Sequence, residues 1–448
     1  MNFNKQNPLH SYSKKLLLFY TLYIYRCVVF AQIQPDTLQI DTVEISNISS
    51  SIIEEQVNNT NLKTVQLNRS DLQLAYPILL LNSEDELIFS FDDLKGGVRN
   101  YYYTFQHCDQ NWEASNLTTF DYLDGYEENT IDNYSFSFGT LQAYTHYSVN
   151  FPNDNIDFKV SGNYVVKVWE DDNRDVPLIV KRFFVWEELA SINAKVYRPN
   201  LIEFRNNYQE INFTVDIRSL DVSHALDEIR VTLFQNGRYD NAIYDSKPRM
   251  ITNDLLTYDK DDMVFPAGKE YRHFDTKTLN FQSDMVRKIT KEDGKYQVYV
   301  NVDDSRLYQK YFYETDINGQ YVLQADLTND VNTEGDYAMV YFVLKYPYVI
   351  TSGELYVFGE LNNNQMNNQN KMTYDYDLQQ YTAQLYLKQG YYNYLYMYKG
   401  IGSSKGELIY TEGNHFESEN DYQLFIYQHM YDRDYDRIVG CSIFNSIK

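Results

Sequence analysis

Cysteine is scarce in this chain, with three among 448 residues. That excludes a small secreted scaffold stapled by disulfides. Cys27 falls in the N-terminal leader, leaving Cys108 and Cys441 far apart in sequence. Two isolated buried thiols are expected, with a bridge between them as the alternative. Long apolar runs are also missing: beyond the leader, no stretch approaches the ~20 apolar residues that a membrane-crossing helix needs. A soluble mature chain without direct insertion into lipid is expected. Positive charge is in short supply, with 39 Lys and Arg against 63 Asp and Glu, a net charge of −24. Such a surface repels phosphate backbones, which argues against nucleic acid as a partner and is compatible with a basic protein surface. Several site motifs are absent too. There is no G-x-x-x-x-G-K-S/T or G-x-G-x-x-G phosphate cradle. The seven histidines never take H-E-x-x-H or another tight metal-ligand spacing.

The leader itself is legible. Lys14 and Lys15 precede an apolar run from Leu16 to Phe30, and the small residue Ala31 precedes polar sequence. A basic head, a short apolar body and a small cleavage residue predict a signal peptide over 1–31, cut after Ala31. Arg26 inside the run argues against a spanning anchor, and Cys27 lacks the small residues that would precede a lipid-modified cysteine. The leader carries four basic residues (Lys5, Lys14, Lys15 and Arg26) and no acid, so its removal makes the chain more negative still.

What the chain has in abundance is tyrosine, 45 residues, and alternation with a period of two. Residues 32–60 are polar and aperiodic, read as a linker. In 61–190, "DELIFSFDD" puts Leu87, Phe89 and Phe91 on one face, and "GNYVVKVWED" groups Tyr164, Val166 and Val168. In 194–329, Ile211, Phe213, Val215 and Ile217 share a face, as do Ile229, Val231 and Leu233, and Tyr296, Val298, Val300 and Val302. In 330–448, "GYYNYLYMYKG" aligns Tyr392, Tyr394, Tyr396 and Tyr398, read either as an aromatic ligand platform or as an outward sheet face or domain contact. Strands separated by Gly/Asn/Asp turns, with no sustained helical period, predict an all-β protein of tandem antiparallel β-sandwiches.

A few clusters invite a catalytic or metal reading. His107, Cys108 and Asp109 stand in a row, but on a strand neighbours point to opposite faces, so the thiol and imidazole would face apart. Cys108 is expected to be a packed thiol, with Trp112 covering an edge. His273 and Asp275 would share a strand face, as a structural pair or as the acid–base pair of a hydrolase. His146 has no evident partner in register. The acidic runs Glu170–Asp175 and Asn301–Arg306 offer oxygen ligands for calcium but lack the spacing and glycine of an EF-hand loop, so solvated turns are expected. No catalytic, cofactor-binding or metal-binding residue is assigned.

Several stretches together resemble one family, in order and spacing. They include "YYYTFQHCDQNWEASNLTTFDYLDGYEENTIDNYSFSFGT", "YTHYSVNFPN", "VTLFQNGRYDNAI", "FPAGKEYRHFD", "YETDINGQYVL", "GELYVFGELNNN" and "YDRIVGCSIFNS". From about residue 60 to the end the chain resembles the plug protein of the type IX secretion system of Bacteroidota. That resemblance implies a non-enzymatic periplasmic subunit associated with the outer membrane. It would bind a large translocon barrel there and occlude its periplasmic mouth between transport events. Block 330–448 also resembles early-set immunoglobulin-like domains, including glycogen-binding modules. The tryptophan common there after "GELN" is missing, with Asn363, Asn364 and Gln365 in its neighbourhood, and Trp112, Trp169 and Trp186 all lie in the first block. The competing expectation is a periplasmic or surface carbohydrate-binding protein using the tyrosine face around Tyr394; a secreted hydrolase working through His273 and Asp275 is a third. No interface residue is named from the sequence.

Overall fold

The computed structural model describes residues 52–171 and 176–447. The leader over 1–31 and most of the linker over 32–60 lie outside the described residues. Among the described residues strands dominate, and the α-helices are single turns such as Thr119–Tyr122, Ala225–Glu228 and Val331–Glu334. No helix among them is long and apolar enough to cross a membrane. The sheets are open, and nearly every pairing is antiparallel. The exceptions are Lys295–Asp304 beside Tyr337–Lys345 and the short Ile78–Leu80 beside Ile179–Trp186, both parallel.

Alternation builds the first sandwich. One sheet runs Leu62–Arg69, Leu87–Asp93, Thr145–Phe151, Asn133–Phe136. The other is centred on Tyr101–Cys108, Gly162–Glu170 and Ile179–Trp186. Leu87, Phe89 and Phe91 meet Phe105, Tyr147, Tyr164 and Phe183 between the sheets. In Ile179–Trp186 the burial is nearly continuous, not alternating. That pattern marks a strand covered on both faces: Phe183 and Val185 face the first core, while Val180 and Phe184 face a further cluster outside it.

The second sandwich is assembled from distant parts of the chain. Its first sheet contains Ser191–Tyr197, Tyr208–Asp216 and Leu255–Tyr258. The other orders Arg238–Tyr244, Ile229–Gln235, Asp421–Met430 and Tyr435–Asn445. Ile211, Phe213, Val215, Val231 and Leu233 thus share a core with Leu424, Ile426 and Val439. In the third sandwich, Lys295–Asp304, Tyr337–Lys345 and Gln380–Lys388 face Gly390–Gly400, on which Arg272–Asp275, Tyr321–Leu323 and Gly353–Phe358 all pair. Sheet membership therefore departs from block limits at 329 and 330. Strands before 329 join the third sandwich, and the last two strands return to the second. The edge left by Ile229–Gln235 is covered by Asp421–Met430, a pairing between remote segments that local pattern does not encode.

Candidate interaction surface and buried seams

Tyr101–Cys108 places the row that opens the catalytic question. His107 and Cys108 are both fully buried, on opposite faces. The His107 ring sits edge-on to Tyr164, with Nδ1 2.9 Å from Ser115 Oγ and Nε2 3.2 Å from the Ser161 carbonyl. Gly162, at φ 153°, leaves the room for this ring, since a Cβ there would fall 2.1 Å from Nε2. Burial holds His107 down at about 4, against a weaker upward pull from its bond to Ser161. Cys108 lies among Trp112, Val165, Val180 and Phe184, and burial pushes its thiol up to about 12. Asp109 accepts from the backbone N–H of Asn111 and of Glu113, both at 2.9 Å, and so closes a turn. This turn places Trp112 at φ 67°, uncommon for a bulky side chain, and drives its ring into the same cluster. Cys108 and Cys441 are both free.

His273 and Asp275 do not form a pair. The imidazole Nε2 lies 2.9 Å from Asp284 Oδ2 and its ring stacks on Tyr391, whereas the Asp275 carboxylate accepts from the Lys277 backbone at 2.7 Å. His146 does have a partner in register: Nδ1 is 2.7 Å from Asp92 Oδ1, directly across the sheet. The sequence hides this because the two residues belong to separate strands.

The Tyr392, Tyr394, Tyr396 and Tyr398 row faces inward and lies in the third core, which overturns both expectations for it, the ligand platform and the outward sheet face or domain contact. Its hydroxyls bond internally. Tyr394 and Tyr396 each donate to Asp303 Oδ2 at 2.7 Å, and Tyr398 donates to the Ser352 carbonyl at 2.9 Å. Asp303, in the acidic run Asn301–Arg306, also pairs with Arg272 at 2.6 Å. Arg272 and Arg306 both hold Glu412, at 3.0 and 2.6 Å. Burial pushes the Glu412 carboxyl up, and the two guanidiniums outweigh that and hold it at about 2. Most of the run Glu170–Asp175 lies outside the described residues. Asn363 and Asn364 form a left-handed turn, where Asn363 accepts from Lys181 at 3.3 Å and Gln365 donates to the Glu55 carbonyl. This turn contacts the first sandwich.

What sequence reading missed are two buried seams. In one, Ile78, Cys108, Trp112, Val180 and Phe184 of the first sandwich pack on Phe234, Phe425, Tyr427 and Ile438 of the second. Phe184 and Phe425 stack at 4.1 Å, and Tyr427 donates to Asn163 at 2.9 Å. In the other, Lys388 of the third sandwich meets Asp92 of the first at 2.7 Å, both side chains fully buried. Asp92 also accepts from Tyr337 at 2.7 Å, and Lys388 donates to the Asn332 carbonyl at 2.7 Å and sits over the Tyr144 ring. Burial lowers the Lys388 pKa, opposed by Asp92. The end of the expected linker is a strap across these parts. Ile53 N–H donates to the Trp112 carbonyl at 2.8 Å, Glu55 pairs with Lys181 at 3.2 Å, and Gln56–Val57 adds to Ile179–Trp186. The sequence signals were the acidic end of Leu87–Asp93, with Asp92 and Asp93 after apolar residues, and runs such as "IVKRFFVW", and neither names its partner.

These features define a class: an all-β stack of sandwiches joined by buried seams, with its histidine, cysteine and carboxylate clusters engaged in structure. Residues 62–187, the first sandwich, match the family model described as type 9 secretion system plug protein 1st domain. The chain belongs to the type IX secretion system plug protein family. A crystal structure of a hypothetical protein from Parabacteroides merdae superposes with a TM-score of 0.84 at 30% identity, covering 87% of this chain and 98% of that one. A structure of manganese lipoxygenase of Gaeumannomyces graminis with part of zonadhesin of Komagataella pastoris shares 8% identity at a TM-score of 0.15, too distant to carry an argument. No curated protein matches the chain.

Proposed function

We propose that this chain is a periplasmic plug subunit that binds the outer-membrane type IX translocon barrel and occludes its periplasmic opening between transport events, without catalysis. The family match over the first sandwich carries this reading. The physical requirements are compatible with it. A stopper must hold its shape against a wide pore, and two buried seams join the sandwiches into one stiff body. It must also release, and an exposed surface rich in charge suits a transient interface of modest area. The mature chain reaches the periplasm through the cleaved leader.

The test uses cells lacking the chain. Their outer membranes should admit a large hydrophilic dye that wild-type cells exclude, and the chain should co-purify with the barrel from detergent-solubilised outer membranes. Unchanged exclusion of the dye, with a purified translocon that never holds the chain, would overturn the proposal.

A further inference from the structure

Among the described residues the strand Asn133–Phe136 ends its sheet, with Thr145–Phe151 on one side and no strand on the other. All four of its residues are exposed. Antiparallel neighbours alternate between pairs that exchange hydrogen bonds with each other and pairs whose N–H and C=O point outward. Ser137 N–H donates to the Tyr144 carbonyl at 2.9 Å, which continues the register Asn133↔Ser148 and Ser135↔His146 as bonded pairs. The backbone groups of Tyr134 and Phe136 therefore point away from the sheet. The next residue of that set shows what such groups do when a partner is present: Phe138 N–H donates to the Thr333 carbonyl at 2.9 Å.

The side chains of the same residues form a row. Tyr134 is 42% exposed, Phe136 56% and Phe138 78%, and the Tyr134 and Phe136 rings meet edge-on at 5.9 Å. Tyr134 leans on the core residue Tyr147, so the row is an extension of the core face beyond the rim of the sandwich. An open ladder with an aromatic row beside it is the arrangement that receives an added strand, with main-chain bonds for affinity and alternate side chains for selectivity.

Charge selects the occupant. From residue 100 to residue 158 the chain has no lysine or arginine and nine acids, Asp132 next to the strand among them. Asp330 and Glu334 stand in the same helical turn as Thr333 at its far end. A second copy would bring the same negative charge to the same place. We infer that Tyr134–Phe136 is a docking edge for an extended, positively charged segment of a partner protein, which adds as a further strand up to the point where Thr333 caps Phe138. This inference does not depend on the plug reading.

Its test needs only the purified chain and a synthetic nine-residue peptide alternating lysine and valine. Hydrogen–deuterium exchange over 131–138 should slow at least ~10-fold at saturating peptide. A peptide of equal charge with proline at its centre, and a glutamate–valine peptide, should leave exchange unchanged. Phe136→Pro removes one outward N–H and leaves the bonded pairs to Thr145–Phe151 intact, as an edge position tolerates, so it should abolish the protection without lowering the thermal midpoint. If that variant does not fold, Phe136→Lys keeps the backbone and adds the repelled charge, with the same expected loss. Absence of slowing over 131–138, equal slowing by the proline peptide, or a dimer that protects these same amides would each overturn the inference.

Discussion

Cys108 stands beside a histidine and an aspartate, yet its chemistry is set by where the strand points it. Burial among Trp112, Val165 and Phe184 disfavours the thiolate and pushes the thiol up to about 12, with Lys167 and Arg182 opposing weakly. The nucleophile of a cysteine is the thiolate, so alkylation of Cys108 at pH 8, read by peptide mapping to separate it from Cys441, should be undetectable in the folded chain and rapid in urea; equal rates would contradict the packed position. Cys108→Ser places a hydroxyl in that apolar cluster and should cost about 1–3 kcal/mol in chemical denaturation, leaving translocon binding intact. His107 gives a pH signature with a definite sign. Its folded pKa of about 4 lies below the 6.5 of an ordinary histidine. Between those values the unfolded chain holds a proton that the folded chain refuses, so stability is full above pH 6.5 and falls as pH drops towards 4. Integrated over that window, one group accounts for about 3 kcal/mol. His107→Gln should remove that part of the slope, read as the difference between wild-type and variant urea midpoints from pH 7 to pH 4. Parallel curves would show that His107 does not titrate as placed.

At the scale of strands and seams, the decisive contacts join residues far apart in the chain. Asp92 and Lys388 are fully buried and 2.7 Å apart. Removing one partner from such a pair strands the other charge, at a cost of about 3–5 kcal/mol. Lys388→Met should therefore be strongly destabilising, and adding Asp92→Asn should restore part of the loss, because the stranded charge goes too. Additive losses in the double variant would mean that the two side chains are not coupled. A chain truncated after residue 420 loses Asp421–Met430, which pairs with Ile229–Gln235, and Tyr435–Asn445 beyond it, and its second core should fail to form, seen as early proteolysis between 190 and 270. This is also where sequence reading reached its limit. The period of two made Leu87, Phe89 and Phe91 legible as one face, and Ile211, Phe213 and Val215 as another, because alternation is a local property. It grouped Tyr392, Tyr394, Tyr396 and Tyr398 correctly but read their face as outward, since which side is covered depends on strands elsewhere. For the same reason His146 looked unpartnered, His273 was offered Asp275 instead of Asp284, and the last two strands were left with their sequence neighbours. The docking edge was not legible at all: an outward backbone group is defined by register with Thr145–Phe151.

For the whole molecule, the seams decide whether the chain behaves as beads or as one body. The three cores of the described residues hold separate sets of side chains, and independent sandwiches would unfold in separate steps. The apolar cluster between first and second sandwich buries Phe184, Phe425, Tyr427 and Ile438 almost completely. Unfolding either sandwich alone would expose that face to water, at about 1.5–3 kcal/mol for each large side chain. The Asp92–Lys388 pair couples the first to the third in the same way, because separation leaves Lys388 without its counterion and Asp92 with the His146 imidazole alone beside it. The first sandwich is thus tied to both others, and its loss removes support from each. The proposed stopper role gains from this arrangement, since the load on one sandwich would be carried by all three. Calorimetry should show a single transition whose measured enthalpy equals the van't Hoff value, the mark of all-or-none unfolding. Lys388→Met should detach the third sandwich and split the transition in two, while Phe425→Ala should loosen the second. Three resolved transitions in the wild-type chain would mean that the seams are contacts without coupling, and a stiff plug would then need another source for its rigidity.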